Sequence, residues 1–460
     1  VGKATPKYNK EELLASAPVP VSIRTLAIPA IIGIMIMAIY NFVDTLFIGM
    51  LKSATALSAV GIAFPIMALM TAVGQVLGVG AAASIGRYLG AQRKDKADQT
   101  ASTVILTSFA MGLIFMCVGL LFQDTIFRLF GASDAVLPDA RRYGVWMFTG
   151  ALFSIPNQSL NNIARAETNV KLSMIALSVG AILNVFLDPL FMFTFGWGIE
   201  GASIATTLSQ AVSFAFIFSY FARGKSLVHL SIKNFRFSGR LYGEVLKTGA
   251  PMGVSQALTA VAVSITNMMA ATMAGGIGDN LVAAYGVVLK VFTIGQYIIF
   301  GYTQGYQPIA AYAYGARNGQ RFWNCYRTSR RFLLAYGAVV TALYLVLAKP
   351  LIAIFTPDPQ IIEYGRWMLT GQSAGFIIMA LVTLQTTCFQ AIGRGTSGIL
   401  LSSTRQGLAY IPLIMLLPPF LGVLGFYITP ALCDVISLVV STALFAHQKK
   451  RLEQEFAQAA

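Results

Sequence analysis

The sequence predicts an all-α integral membrane protein, with twelve transmembrane helices in two six-helix lobes related by a pseudo-two-fold axis along the membrane normal. Three observations lead there. Of the 460 residues 56% are apolar and only 11% charged, whereas about a quarter of an ordinary soluble chain is charged. The apolar residues gather into twelve runs, each long enough to cross about 30 Å of hydrocarbon. The basic residues lie overwhelmingly on alternate connections between those runs, as they do in proteins oriented by cytoplasmic Lys and Arg.

Residues 1–20 are polar and read as a cytoplasmic N-terminal segment. The runs follow near 25–50, 57–86, 100–122, 143–163, 172–195 and 202–222, then 249–275, 281–313, 332–355, 367–391, 397–420 and 426–446. They divide the chain into an N-lobe over 21–222, a linker over 223–246, a C-lobe over 247–447 and a tail over 448–460. The first run is too long for a cleaved signal and lacks a small-residue cleavage site, and Pro29 inside it predicts a kink. If the N-terminus is cytoplasmic, 26 Lys and Arg fall inside, from Lys3 and Lys7 through Arg405 to Arg451. Six fall outside (Lys52, Arg128, Arg141, Arg142, Lys349, Arg366), leaving Lys290 alone in a span. That asymmetry places both termini and the basic linker in the cytoplasm, in a multi-pass protein of the cytoplasmic (inner) membrane.

The net charge of +15 is thereby explained without nucleic acid, since no basic stripe interleaved with aromatics appears. Four cysteines without metal or CxxC spacing, and two histidines, point away from disulfide frameworks, zinc and haem. No cofactor is expected. A multi-pass enzyme is disfavoured because the chain has no HExxH, no paired acid and histidine, and no Gly-rich phosphate cradle after a strand.

The two halves echo each other. Leu26-Ala27-Ile28-Pro29 corresponds to Lys247-Thr248-Gly249-Ala250-Pro251, and the corner Leu89-Gly90-Ala91-Gln92 to Tyr314-Gly315-Ala316-Arg317. Tyr143-Gly144-Val145-Trp146-Met147 returns as Tyr364-Gly365-Arg366-Trp367-Met368. Six spans per half is an even number, so the copies enter the membrane in the same direction, as parallel repeats do.

Ionisable groups inside spans are costly and mark functional sites. Asp44 lies about 30 Å along the first helix and Asp188 about 25 Å along the fifth, so both reach the outer half of the membrane. Asn184 stands one turn before Asp188 and shares its face, Pro189 frees backbone groups beside it, and Asn41 lies close to Asp44 on the first helix. These four residues suit a proton or a hydrated cation; each Asp could instead hydrogen-bond a neighbouring helix. Asp434 in the twelfth run and Lys290 in the eighth are secondary candidates, the lysine also being able to snorkel. Met35, Tyr40, Phe64 and Tyr297 could accept flat apolar cations by dispersion and cation–π contact. Gln256, Asn267, Gln304 and Gln307 offer polar groups for a wet cleft or for interhelical hydrogen bonds.

One segment carries a resemblance: Leu183-Asn184-Val185-Phe186-Leu187-Asp188-Pro189-Leu190-Phe191, followed by Gly198-Ile199-Glu200-Gly201-Ala202-Ser203-Ile204-Ala205-Thr206. With Tyr40-Asn41-Phe42-Val43-Asp44 and Ala164-Arg165-Ala166-Glu167, it resembles multidrug and toxic compound extrusion (MATE) transporters of the bacterial and archaeal DinF-like or MepA-like branches. The resemblance implies two lobes around a central cleft and alternating-access antiport of bulky hydrophobic or cationic drugs, dyes or antiseptics by a monomer in the lipid bilayer. It implies coupling at Asp44, Asn184 and Asp188. The sodium-linked pattern, with Glu in helix 7 and Asp in helix 10, is replaced here by amides such as Gln256 and Gln372. H+ is thereby favoured as the coupling ion, with Na+ the alternative. A lipid or lipid-linked oligosaccharide flippase of the same broad superfamily is the rival reading.

Overall fold

A computed structural model describes residues 8–51, 53–273 and 276–458; Lys3, Lys7 and Lys52, which enter the charge count, lie outside them. The described chain is helical throughout. Short α1 (Lys10–Ala15) opens on a capping box in which Asn9 and Glu12 each accept the other's backbone N–H. Then come α2 (Val19–Met50), α3 (Ala54–Gly90), α4 (Lys94–Leu121), α5 (Gln123–Leu129), α6 (Leu137–Ala166), α7 (Val170–Pro189) and α8 (Gly198–Ala222). After a connection containing one 3₁₀ turn come α9 (Gly239–Ala271), α10 (Gly278–Gly315), α11 (Gly319–Ala353), α12 (Pro359–Ala374), α13 (Phe376–Ala391), α14 (Gly395–Ser403), α15 (Tyr410–Leu421) and α16 (Val423–Ala457).

Ten of the resulting helical rods are long and apolar enough to cross a membrane, counting α7 and α14–α15 with their π-helical segments. An eleventh is α12–α13, bent by 48° at Gly375. The twelfth is α6, whose buried Asn157, Asn161, Asn162 and Arg165 lower its hydropathy while packing inside the lobe. Pro29 sits within α2, which stays helical over all 32 residues. One residue changes its place relative to the sequence reading. Arg405 is not in a cytoplasmic loop but ten residues inside the Gly395–Leu421 rod, so Lys290 is not the sole basic group at membrane depth.

The repeat is visible in the backbone. The Gly-Ala corners close on Gln92 (φ 56°) and Arg317 (φ 54°), non-glycine residues held in the left-handed region at an offset of 225. At the same offset, Thr168 after α6 (φ 64°) corresponds to Gly393 after α13 (φ 77°). Left-handed backbone is unfavourable for residues with a Cβ, so its recurrence marks the same chain reversal in both halves.

Among the described residues, the close glycine contacts between the lobes lie towards the end of the molecule that carries both termini. A Cβ on Gly80 would stand 2.1 Å from the Val245 carbonyl oxygen, and one on Gly301 would stand 2.6 Å from the Ile31 Cα. On Gly305 it would stand 2.5 Å from the Ala27 nitrogen, and on Gly315 2.0 Å from the Arg87 carbonyl oxygen. Absent side chains thus let α2 and α3 lie backbone to backbone against α9 and α10. Charge adds to the seam: Arg87 donates to Glu244 at 2.7 Å and to the Gln390 and Ala391 carbonyls, while Tyr88 donates to the other Glu244 oxygen. Towards the opposite end no glycine contact among the described residues crosses between the lobes, and Gly49, Gly61 and Gly286 have nothing within 4 Å of a Cβ position. The cleft is closed at the termini and open at the other end.

Candidate functional site

Within the N-terminal half, α2 contributes Tyr40 and Asp44, one turn apart, while α7 contributes Asn184 and Asp188, also one turn apart. Asn184 and Asp188 are almost wholly buried. The amide nitrogen of Asn184 donates to Asp188 Oδ1 at 3.2 Å and to Thr206 Oγ1 of α8 at 3.3 Å. Tyr40 lies beside Thr206, and the Asp44 and Asp188 carboxyls are near enough for their charges to interact. Two carboxylates sharing a buried site repel each other, so such a site favours uptake of a proton or a cation. Asn184 Oδ1 and Asp188 Oδ2 are buried with no partner among the described residues, which native interiors rarely tolerate without an unseen proton, water or ion. The donor set is all oxygen, suited to a proton or a small hard cation. A small pocket adjoins it, with Met37, Tyr40, Asn184, Thr206 and Gln210 in its walls.

The structure brings together Asp44, Asn184, Asp188 and Tyr40 but not Asn41, whose exposed side chain points elsewhere while its carbonyl accepts from Thr45. Thr206 and Tyr143 complete the surroundings. Neither was singled out for a role from sequence, although Thr206 lies in the segment following Asp188. Tyr143 is buried close enough to feel both carboxylates, its hydroxyl directed at the Met67 sulfur at 3.5 Å.

In the C-terminal half, Asp434 of α16 has a partner that the sequence reading did not supply. Arg405 Nε donates to Asp434 Oδ1 at 2.7 Å, with side-chain exposures of 15% and 2%. A cavity at the floor of the cleft is walled by Gln75, Val79 and Asn162 from the first half and by Gln304, Gln307, Arg405 and others from the second. A second extends into the C-terminal half past Gln256, Gln372, Arg405 and Asp434. Met35, Asn267 and Tyr297 are half-buried and Phe64 is exposed, and none of the four lines these cavities. Lys290 is exposed and makes no ion pair with a described residue.

Twelve helical rods around a cleft, with paired carboxyls at membrane depth, define a multi-pass membrane transporter rather than an enzyme. The MatE family model matches residues 29–190 and again 251–416, one match in each half. The chain belongs to the MatE family. It is 27% identical to the multidrug export protein MepA of Staphylococcus aureus (strain NCTC 8325 / PS 47) over 92% of this chain and 94% of that one. Among solved structures it superposes on an outward-facing multidrug resistance MATE family transporter of the MOP superfamily with a TM-score of 0.90, at 25% identity, covering 98% of this chain and 100% of that one. It also superposes, with a TM-score of 0.88 at 26% identity, on a MOP superfamily transporter from Pyrococcus furiosus Vc1 described as having a binding pocket of reverse polarity, covering 98% and 99% of the two chains.

Proposed function

We propose that this protein is a secondary active multidrug efflux transporter, exchanging bulky hydrophobic or cationic compounds for H+, with Na+ the alternative coupling ion. The observation that carries the reading is the approach of the Asp44 and Asp188 carboxyls around the buried, unpartnered oxygens Asn184 Oδ1 and Asp188 Oδ2. Such a site changes its bonding when it gains or loses a proton. The name of the S. aureus relative supports the substrate class.

In this reading the lobes are residues 21–222 and 247–447, joined by a linker over 223–246, with both termini in the cytoplasm of a monomer in the inner membrane. The open end then faces outward. A proton entering from outside bridges Asp44 and Asp188, Asn184 holds the oxygen that stays charged, and α2 repacks about Pro29, lowering affinity for drug. Coupling requires that the proton bind the two arrangements unequally, since a ligand bound equally by both shifts nothing. The closed seam opens in the alternate state to load substrate from the cytoplasm.

The test is efflux of a panel of cationic dyes from vesicles containing the purified protein, with pH and Na+ gradients imposed separately. Transport driven by the pH gradient alone is expected. Transport driven only by Na+ transfers the site to that ion. Absence of dye movement with lipid translocation instead would replace the reading by a flippase.

A further inference from the structure

From the C-terminal half we infer a second ligand site: Arg405 presents the free edge of its guanidinium to the cleft as a receptor for an oxyanion, a carboxylate or phosphate ester carried on an apolar body. The inference rests on the cleft being the substrate path, as proposed above, and names a substrate class that the carboxylates of the N-lobe would not select.

Arg405 lies in a π-helical segment, Thr404–Leu408, between α14 and α15. A π-turn inserted in an α-helix is rare and frequently marks a functional site. The side chain has little exposure, and burial of a guanidinium is tolerated only with compensation. Asp434 supplies part of it, but only through Nε. Neither Nη1 nor Nη2 donates to a described residue, although both are strong donors set in the fork that matches a carboxylate or phosphate. Asp434 is held away from them: its Oδ2 packs onto Gly375, where a Cβ would stand only 1.8 Å from it. The carboxylate thus anchors the guanidinium at the bend between α12 and α13 and leaves the opposite edge for a ligand.

Arg405 lines both cavities, and the groups around it are donors and neutral acceptors: Gln256, Gln296, Gln372, Gln406 and Ser255. Apart from Asp434, no carboxylate lines either cavity. Phe300 and Leu289 supply apolar wall. Because Arg405 and Asp434 together are neutral, the oxyanion is held by paired charge-assisted hydrogen bonds rather than by net charge. A ligand with a cation elsewhere in its body, a zwitterion, suits a cleft that has carboxylates in one half and a guanidinium in the other.

Binding of a xanthene dye with a free carboxylate, and of its methyl ester, to the purified full-length protein in detergent tests this by fluorescence anisotropy. The acid is expected to bind at least as tightly as the ester. R405Q should weaken the acid roughly tenfold, the worth of one charged hydrogen-bonded contact, and leave the ester unchanged. D434N should tighten the acid instead, since it removes the competing charge while keeping an oxygen for Nε; a merely structural ion pair would lose affinity for both dyes in both variants. Displacement of the acid dye by benzoate assigns the site to soluble carboxylates, and displacement only by short-chain phosphatidate assigns it to a lipid phosphate. Wild-type protein that prefers the ester tenfold overturns the inference even if R405Q does not fold. If the ester binds and Arg405 makes no difference to the acid, the oxyanion site alone fails. If neither dye binds, the multidrug reading fails with it.

Discussion

Gly249 of α9 lies against Val76 of α3 so closely that a Cβ on the glycine would stand 1.9 Å from the valine carbonyl oxygen. The obstacle is backbone and cannot swing aside, so this contact exists only because the residue is glycine. Gly243, six residues earlier on the same helix, has nothing within 4 Å of its Cβ position.

The pair gives a controlled prediction. Gly→Ala in an unobstructed helix stabilises by roughly 0.5–1 kcal/mol, so G243A should leave transport intact and raise the melting temperature slightly. G249A should force α3 and α9 apart and shift the population away from the arrangement closed at the termini. Distances between spin labels at the open ends of the two lobes report that shift, and equal distance distributions for the two variants would refute it.

Arg87 and Glu244 latch the same seam by charge. Replacing Glu244 with Gln leaves a largely buried guanidinium with weaker partners, at a cost of roughly 1–3 kcal/mol to the closed seam. Each 1.4 kcal/mol is a tenfold change in the equilibrium, so E244Q should raise labelling of a cysteine at Gln304 from the termini side severalfold. Unchanged labelling rates would show that the glycine contacts alone hold the gate.

Glu167, between α6 and α7, is fully buried and clasps the linker, accepting from the backbone of Leu227 and Val228, from Tyr220 and from Ser226. Burial raises its carboxyl above the ordinary range, against the lowering pull of Ser226, of the Leu227 and Val228 N–H groups and of Lys10. A raised acid favours the protonated fold. Its ionisation costs nothing below the unfolded value of about 4.3 and costs fully once the pH has risen past the folded value. The melting temperature of the wild type relative to E167Q should therefore fall between pH 4 and pH 8; a constant difference would mean that Glu167 titrates normally.

The number of rods, their repeat and the Asp44–Asn184–Asp188 set were legible because apolar runs and intramembrane acids are strong signals. Arg405 was not, because a count of basic residues by loop assigns any arginine near a run's start to the cytoplasm. Its depth depends on Gly395 beginning the rod and on a π-turn that periodicity does not reveal. Asn41, three residues before Asp44, lies about 60° round the helix from it, and its side chain is exposed where that of Asp44 is half-buried. The partner of Asp434 lies 29 residues away, across a helix boundary.

Topology is tested at Ile232, 81% exposed in the linker. In a C117S background, which removes the exposed native thiol, I232C should resist an impermeant maleimide in intact cells and react after permeabilisation. Ready labelling from outside would invert the orientation, and with it the direction in which the cleft opens.

The last prediction concerns Asp44 and Asp188. Asn at either position keeps the shape of the side chain and one oxygen, and its amide can donate to the remaining carboxylate without a shared proton. D44N and D188N should each fold, judged by a melting temperature near that of the wild type, yet lose dye efflux driven by a pH gradient at least tenfold. Dye binding should persist, because neither residue lines the floor of the cleft. Asp188 also accepts from Asn184, so D188N leaves that amide facing another amide and should perturb the packing of α7 against α8 more than D44N does. Measuring proton release on drug addition separates the roles: wild type should release a proton where both variants release none. Full gradient-driven transport in both variants would place the coupling elsewhere, and D434N would then be the variant to assay for transport.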